Sequence, residues 1–255
     1  MTSETGKESP LRELHSWRLS PTEAREVQGE LRKYWEGHDR LGDIRVVAGL
    51  DAAFVVSGSQ AFSSRGRWSK LRAANTAIGG VVTFSYPDLV EMERVYAMRT
   101  LEFPYVPGFL SFREIPVLLD ALTKLKQMPD LLFCDGQGYA HPRRMGLASH
   151  MGIVSELPSI GCAKSILIGT HEKLGSAAGS WTPLIDTKSE NETIGAAVRT
   201  RDGVKPIYVS PGHRVSLETA IRLTLSVGDG FRVPKPTRLA DRWVGEIKRR
   251  ELGTN

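Results

Sequence analysis

What most constrains this chain is the order in which its apolar spacing changes. Three strand-like runs come first. Residues 44–56 are rich in Val, Ala and Phe. Residues 78–85 and 90–98 flank Tyr86-Pro87-Asp88, a turn signal that predicts a hairpin. Helical and strand-like runs then alternate. Phe112, Leu118, Leu119, Leu122 and Leu125 recur at helical spacing over 112–126, with Pro116 in the first turn or at a kink. Residues 131–134 form a short buried strand ending at Asp135 and the tight turn Gly136-Gln137-Gly138. A small-residue helix over 145–157 and a strand over 160–168 carrying Lys164 follow. Residues 193–200 and 206–209 read as a strand pair across Asp202-Gly203, and helices over 217–226 and 239–250 close the chain. Ahead of all these, Ser20-Pro21-Thr22-Glu23 is a capping box opening an amphipathic helix over 21–37. The order predicts one α/β domain: a mixed central sheet, antiparallel hairpin then parallel strands, flanked by helices. Residues 1–19 read as a flexible lead-in and residues 20–252 as the domain.

Composition narrows the class. At 255 residues the chain is long enough for a sizeable core without covalent staples. Two cysteines, Cys134 and Cys162, exclude a disulfide scaffold and a Cys-rich zinc site, and both read as inert strand residues. The six histidines include no His-x-x-x-His pair. No run is long and apolar enough for a membrane span, and residues 1–10 lack a signal core, so a cytoplasmic protein is expected. The net charge is +5, from 34 basic and 29 acidic residues. Residues 232–250 alone hold seven basic residues against two acids. Arg65, Arg67, Lys70 and Arg72 form a second basic cluster. Such clusters fit a phosphate backbone, but by charge alone a solvated helix face and loop is the commoner origin.

Three acids stand where apolar or tightly turned sequence surrounds them. Asp51 interrupts the strand run between Gly49-Leu50 and Ala52-Ala53, where a carboxylate is costly unless paired or bound to metal. Asp135 ends a buried strand before two glycines, a place where α/β sheets put their chemistry, or serves as a turn residue. Glu114 starts a helix, where the dipole favours an anion with or without a function. Acids on three separate elements of a basic protein point to an oxygen-ligand Mg²⁺ site acting on phosphate.

Several segments carry a resemblance. They are Val47-Ala48-Gly49-Leu50-Asp51, then Pro104-Tyr105-Val106-Pro107-Gly108 with Phe112-Arg113-Glu114, then Asp135-Gly136-Gln137-Gly138 with His141-Pro142-Arg143. Gly161-Cys162-Ala163-Lys164-Ser165, Ser210-Pro211-Gly212-His213 and Pro236-Thr237-Arg238-Leu239-Ala240-Asp241 follow. In this order, from about residue 20 to 250, they resemble the endonuclease V family, deoxyinosine 3′-endonucleases of ribonuclease H-like fold. The connection over 57–75 is longer than the family pattern, and the lead-in has no counterpart.

The resemblance implies a Mg²⁺-dependent DNA repair endonuclease, with Mn²⁺ as a substitute cation. It would recognise deaminated bases in DNA and nick the second phosphodiester 3′ to the lesion, leaving 3′-hydroxyl and 5′-phosphate ends. Asp51, Asp135 and Glu114 would hold the metal. Asp241 would complete the acidic cluster, at a position the family fills with Asp or His. Lys164 would lie near the scissile phosphate, and His141 would support the site from behind. Tyr105, Val106, Pro107 and Gly108 would form a wedge entering the helix where the base leaves, although Tyr105 also reads as a packed loop aromatic. Backbone at Leu110, Gly136 and Gly138 would line the base pocket. The expected form is a monomer with no membrane partner. Two alternatives stand beside it: an endoribonuclease acting mainly on inosine-containing RNA, and a non-catalytic inosine- or nucleic-acid-binding protein. The costly acids argue against the second.

Overall fold

The structure, a computed structural model, describes residues 14–56 and 74–252. Five α-helices and eight strands lie in the described residues. In chain order they are α1 (Pro21–Leu31), β1 (Val46–Val55), β2 (Thr76–Ser85), β3 (Glu91–Thr100), α2 (Ser111–Leu122), β4 (Leu131–Cys134), α3 (Leu147–Ser155), β5 (Ser159–Ala163), β6 (Trp181–Asp186), β7 (Glu192–Val198), β8 (Ile207–His213), α4 (Leu217–Ser226) and α5 (Lys235–Leu252). One sheet runs in the order β3-β2-β1-β4-β5-β8-β7-β6.

The centre of that sheet reads as it does because its strands are covered on both faces. The first five residues of β1 and all of β4 and β5 are buried, so their apolar residues run on without alternating. Val47, Leu131 and Phe133 pack on one face with Ala220 and Ile221 of α4 and Ala240 of α5. Ala48, Leu50, Leu132 and Cys134 pack on the other with Ile115 and Leu118 of α2 and Ala148 and Met151 of α3. The result is a helix–sheet–helix sandwich. Leu50, Leu118, Leu132 and Met151 are fully buried, at about 2 kcal/mol each. That offsets the few kcal/mol of setting polar groups into the same layers.

The antiparallel start and the parallel centre follow the expectation: β1 pairs with β2 antiparallel and with β4 parallel, and β4 with β5 parallel. In the far half the strand pair read across Asp202-Gly203 is present as β7–β8, but the parallel pairing expected there is not. The pairs β5–β8, β8–β7 and β7–β6 are all antiparallel, so the parallel part is confined to three strands. Strand β6 was not expected, since Pro183 and the polar Thr182 break its apolar signal. Lys164 stands just beyond β5, which ends at Ala163 instead of continuing to 168. Helix α1 stops at Leu31, with a 3₁₀ turn over Arg32–Tyr34 in place of a helix to 37. Trp35 is extended there, stacks on Tyr139 at 4.2 Å and donates its indole N–H to the Gly212 carbonyl. Pro116, expected in the first turn or at a kink, lies in the second turn of α2.

Part of the expected lead-in is packed, not loose. Leu14 and Trp17 pack against the core, and Trp17 stacks on the buried His150. Residues 1–13 of the lead-in and the basic cluster at Arg65, Arg67, Lys70 and Arg72 lie outside the described residues. Among the described residues no helix is long and apolar enough to cross a membrane.

Candidate active site

The parallel register of β1 on β4 sets Val47 against Leu131 and Leu50 against Cys134. One residue further, the Asp135 amide donates to the Leu50 carbonyl at 3.3 Å. Side chains alternate along strands, so Asp51 and Asp135 leave neighbouring strands on the same face, the one α5 covers. Gly49 lets α5 come that close: a Cβ there would run into the backbone of Pro236. The helix then carries Asp241 to the site. Glu114 enters from the first turn of α2, in the opposite helix layer, and is only 7% exposed.

Lys164 sits among these acids. Its ammonium pairs with Asp135 and, at 3.1 Å, with Asp241. Its backbone is held as well. Arg232 donates to the Lys164 carbonyl at 2.6 Å, and Gln137, in the turn after Asp135, donates to the Ser165 carbonyl at 2.9 Å.

The charge balance shows what this cluster lacks. Burial pushes the Asp51 carboxyl well above its ordinary range, and the neighbouring Asp135 and Asp241 push it further. Glu114 is raised well above its range by burial and then by Asp51 and Asp135, with Arg113 pulling the other way. Asp135 is raised by burial despite its Lys164 partner. Lys164 loses proton affinity to burial but gains more from Asp135 and Asp241, and ends above its usual value. Four carboxylates against Lys164 and Arg113 leave two negative charges in excess when all are ionised. That excess equals one divalent cation. The donors are carboxylate oxygens with no thiol or imidazole among them, the set a hard cation such as Mg²⁺ takes. Among the described residues, no three acid, His or Cys side chains stand as a ready-made cage, and Lys164 occupies the position between Asp135 and Asp241.

Beside the acids lies the loop that leads into α2. Tyr105 and Val106 are half-buried, and Pro107 and Leu110 are exposed. Arg113 lies over the rings of Phe54 and Tyr105, at 4.8 and 5.8 Å, and so ties the loop to the end of β1. Gly108 takes φ +81°, a conformation other residues rarely adopt. Its carbonyl accepts from Arg143 at 2.7 Å, His141 Nε2 at 3.1 Å and Gln28 Nε2 at 3.2 Å. The Nδ1 of His141 accepts the Arg143 amide at 3.2 Å, which fixes the neutral tautomer with its proton on Nε2. Burial, with Arg143 nearby, lowers His141 to about 4.

The profile of the Endonuclease V family matches residues 29–242. The chain belongs to the endonuclease V family. It is 48% identical over 225 residues to the endonuclease V of Roseiflexus sp. strain RS-1, covering 88% of this chain and 92% of that protein. The crystal structure of endonuclease V from Streptomyces avermitilis is 36% identical with a TM-score of 0.81, over 93% of this chain and 96% of that one. The Ciona intestinalis endonuclease V, in complex with a 24mer DNA containing an inosine followed by a ribo-adenosine, is 27% identical with a TM-score of 0.72. That match covers 90% of this chain and 98% of the Ciona protein.

For this endonuclease V family member the fold brings together Asp51, Glu114, Asp135, Lys164 and Asp241, and sets Tyr105, Val106, Pro107, Gly108 and Leu110 in one loop beside them. His141, expected to support the site from behind, braces the Gly108 carbonyl of that loop. Gly138 also departs from expectation. Its amide donates to Ser210 Oγ at 2.9 Å, its carbonyl accepts from Gly146, and a Cβ would strike the Pro211 carbonyl, so Gly138 serves packing while Gly136 keeps partial exposure. The basic run at 232–250 is largely spent on the protein itself. Arg232, Lys235 and Lys248 donate to backbone carbonyls, Arg238 pairs with Asp229, Arg242 with Glu246, and Arg250 with the Tyr96 hydroxyl. Exposed pairs such as Arg242–Glu246 are worth under about 1 kcal/mol and exchange readily for phosphate. The carbonyl-bound bases are structural. Sequence reasoning passed over Gln28 and gave Arg143 no role. The available signal was a polar side chain on the apolar stripe of α1, between Ala24 and Leu31.

Proposed function

We propose that this chain is a Mg²⁺-dependent DNA repair endonuclease that recognises deaminated bases, chiefly hypoxanthine. The reading continues that it nicks the second phosphodiester 3′ to the lesion and leaves 3′-hydroxyl and 5′-phosphate ends. The observation that carries it is the β1–β4 register, which sets Asp51 and Asp135 side by side with Glu114, Asp241 and Lys164 around them. The inosine in the DNA bound by the Ciona relative supports the choice of lesion.

Asp51, Asp135 and Glu114 would hold the Mg²⁺, with Mn²⁺ as a substitute; when bound, the ion supplies positive charge for the phosphoryl oxygens and the leaving alkoxide. Asp241 holds Lys164 by its ammonium, and Arg232 holds it by its carbonyl, so the lysine is aimed at the place where a phosphate would approach the acids. There it neutralises a phosphate oxygen and gives up its pairing with Asp135. Tyr105, Val106 and Pro107 fill the gap left by an extruded base, whose removal costs a few kcal/mol and least at a mispaired site. Leu110 and the half-exposed Gly136 line the opening for the base, and Gly138 supports the turn behind them. The reading takes the working protein as a cytoplasmic monomer.

A second reading has inosine-containing RNA as the main substrate, and the ribo-adenosine in the Ciona ligand favours it. One assay separates the readings: DNA and RNA strands with and without inosine, with and without Mg²⁺, resolved at single-nucleotide length. The proposal expects Mg²⁺-dependent nicking of inosine DNA one nucleotide beyond the lesion's 3′ neighbouring bond. Nicking of RNA alone moves the function to the second reading. Binding without nicking in any arm removes both.

A further inference from the structure

Gln28 is fully buried on α1, and every polar group of its side chain is committed at a distance in sequence. Its amide nitrogen donates to the carbonyls of Gly108 and Met145, both at 3.2 Å, and its oxygen accepts from Arg143 Nε. Arg143 in turn donates to the Gly108 carbonyl and lies 4.2 Å over the ring of Phe109, the next residue of the loop. From Met145 the chain of bonds continues. The Gly146 amide donates to the Gly138 carbonyl and the Ala148 amide to the Gln137 carbonyl, each at 3.0 Å. Gln137 and Gly138 belong to the turn that follows Asp135. One buried side chain therefore links the loop beside the site to the turn behind an acid of the site.

A buried amide left half-satisfied costs about 1–3 kcal/mol, so a residue in this setting holds one geometry or is lost. An apolar side chain of Gln28's size would fill the same volume between Ala24 and Leu31 without such demands. The polar choice is explained by the partners it fixes. We propose that Gln28 and Arg143 are positioning residues: a bracket that sets the 105–110 loop at a fixed offset from Asp135, so that the place of base recognition determines which phosphate meets the acids. This rests on the reading of that loop as the element that enters the nucleic acid.

The test uses the full chain with Gln28→Leu, which keeps volume and removes all three hydrogen bonds, and Arg143→Lys, which keeps the charge and loses the guanidinium fork. Hydrogen exchange is followed at the Phe109 amide, bonded to Val106, and at β1 and β4 amides as the control for folding. Nicking is measured on inosine and control duplexes with the cut positions mapped. Either variant is expected to speed exchange at Phe109 by about tenfold or more with the β1 and β4 amides unchanged. The inosine-to-control rate ratio should fall by roughly tenfold, with cuts spread onto neighbouring bonds. Unchanged exchange at Phe109 overturns the bracket, and so does a loosened loop that still cuts the same single bond with the same selectivity. If the parent protein does not prefer inosine, the lesion reading fails while the exchange result still decides whether the bracket exists.

Discussion

The acid cluster and the bracket at Gly108 have opposite electrostatics. Burial and neighbouring acids raise the carboxyls of Asp51, Glu114 and Asp135, and Lys164 answers only part of the charge. Around Gly108, three donors meet one carbonyl and Gln28 has partners for each of its polar atoms. One region is held in need of a cation; the other is closed and needs nothing. Buried carboxylates short of positive partners favour a cation, whereas a fully hydrogen-bonded polar network favours one fixed geometry.

Substitutions should separate the two. The largest effect is expected at the acids. Asp51→Ala or Asp135→Ala should lower nicking by about 10³-fold or more while duplex binding persists. Rates at the parent level in either variant would end the metal assignment.

Next in size is the pH response of the bracket. His141 is lowered to about 4 in the folded chain. The unfolded chain takes up that proton first, near pH 6.5, so stability falls as pH drops from about 6.5 toward 4 and is fully present above that window. The loss is at most about 3 kcal/mol. Denaturant melts of parent and His141→Gln protein across that range check it, with the variant showing the flatter profile. Parallel profiles would place His141 outside the balance.

The comparison also explains what could be read from sequence. Asp51 was legible because a carboxylate inside an apolar strand has few reasons to exist. Asp135 was legible because a glycine turn ended its strand. The convergence of Glu114 on them was not, since it depends on α2 descending from the site end over the sheet. Lys164 was recognised but set inside a strand, because the apolar Ile166, Leu167 and Ile168 prolong the run past the true end of β5. The strand pattern predicted the hairpin and the parallel centre, yet β6 has too weak a signal to show that the far half turns antiparallel. The basic run over 232–250 looked like a phosphate strip because sequence does not show the carbonyls and acids its side chains reach. Gln28 was missed for the same reason: its partners lie on residues 108, 143 and 145.

A smaller effect is expected at the loop tip. Tyr105→Ala should reduce the preference for inosine over normal duplex by about tenfold, the loss of one aromatic wedge contact, with Mg²⁺ affinity unchanged. Equal preference in variant and parent would remove Tyr105 from recognition. The smallest is at Glu114. Its carboxyl is raised above the ordinary range, so the folded chain gains stability as pH falls and pays for the ionised form at neutral pH. Glu114→Gln should therefore raise the melting temperature at pH 7 in the absence of metal, by about 3 °C per kcal/mol relieved. That gain should vanish near pH 4. A lower melting temperature at pH 7 would show the charge to be stabilising.

The claim that the acids form a centre in need of one divalent cation is tested most directly by calorimetric titration of Mg²⁺ into the parent protein and into Asp51→Asn. The account predicts saturable binding of Mg²⁺ by the parent, accompanied by proton release from the raised carboxyls, and loss of both in the variant. Equal Mg²⁺ binding by the two proteins, or no binding by the parent, would contradict it.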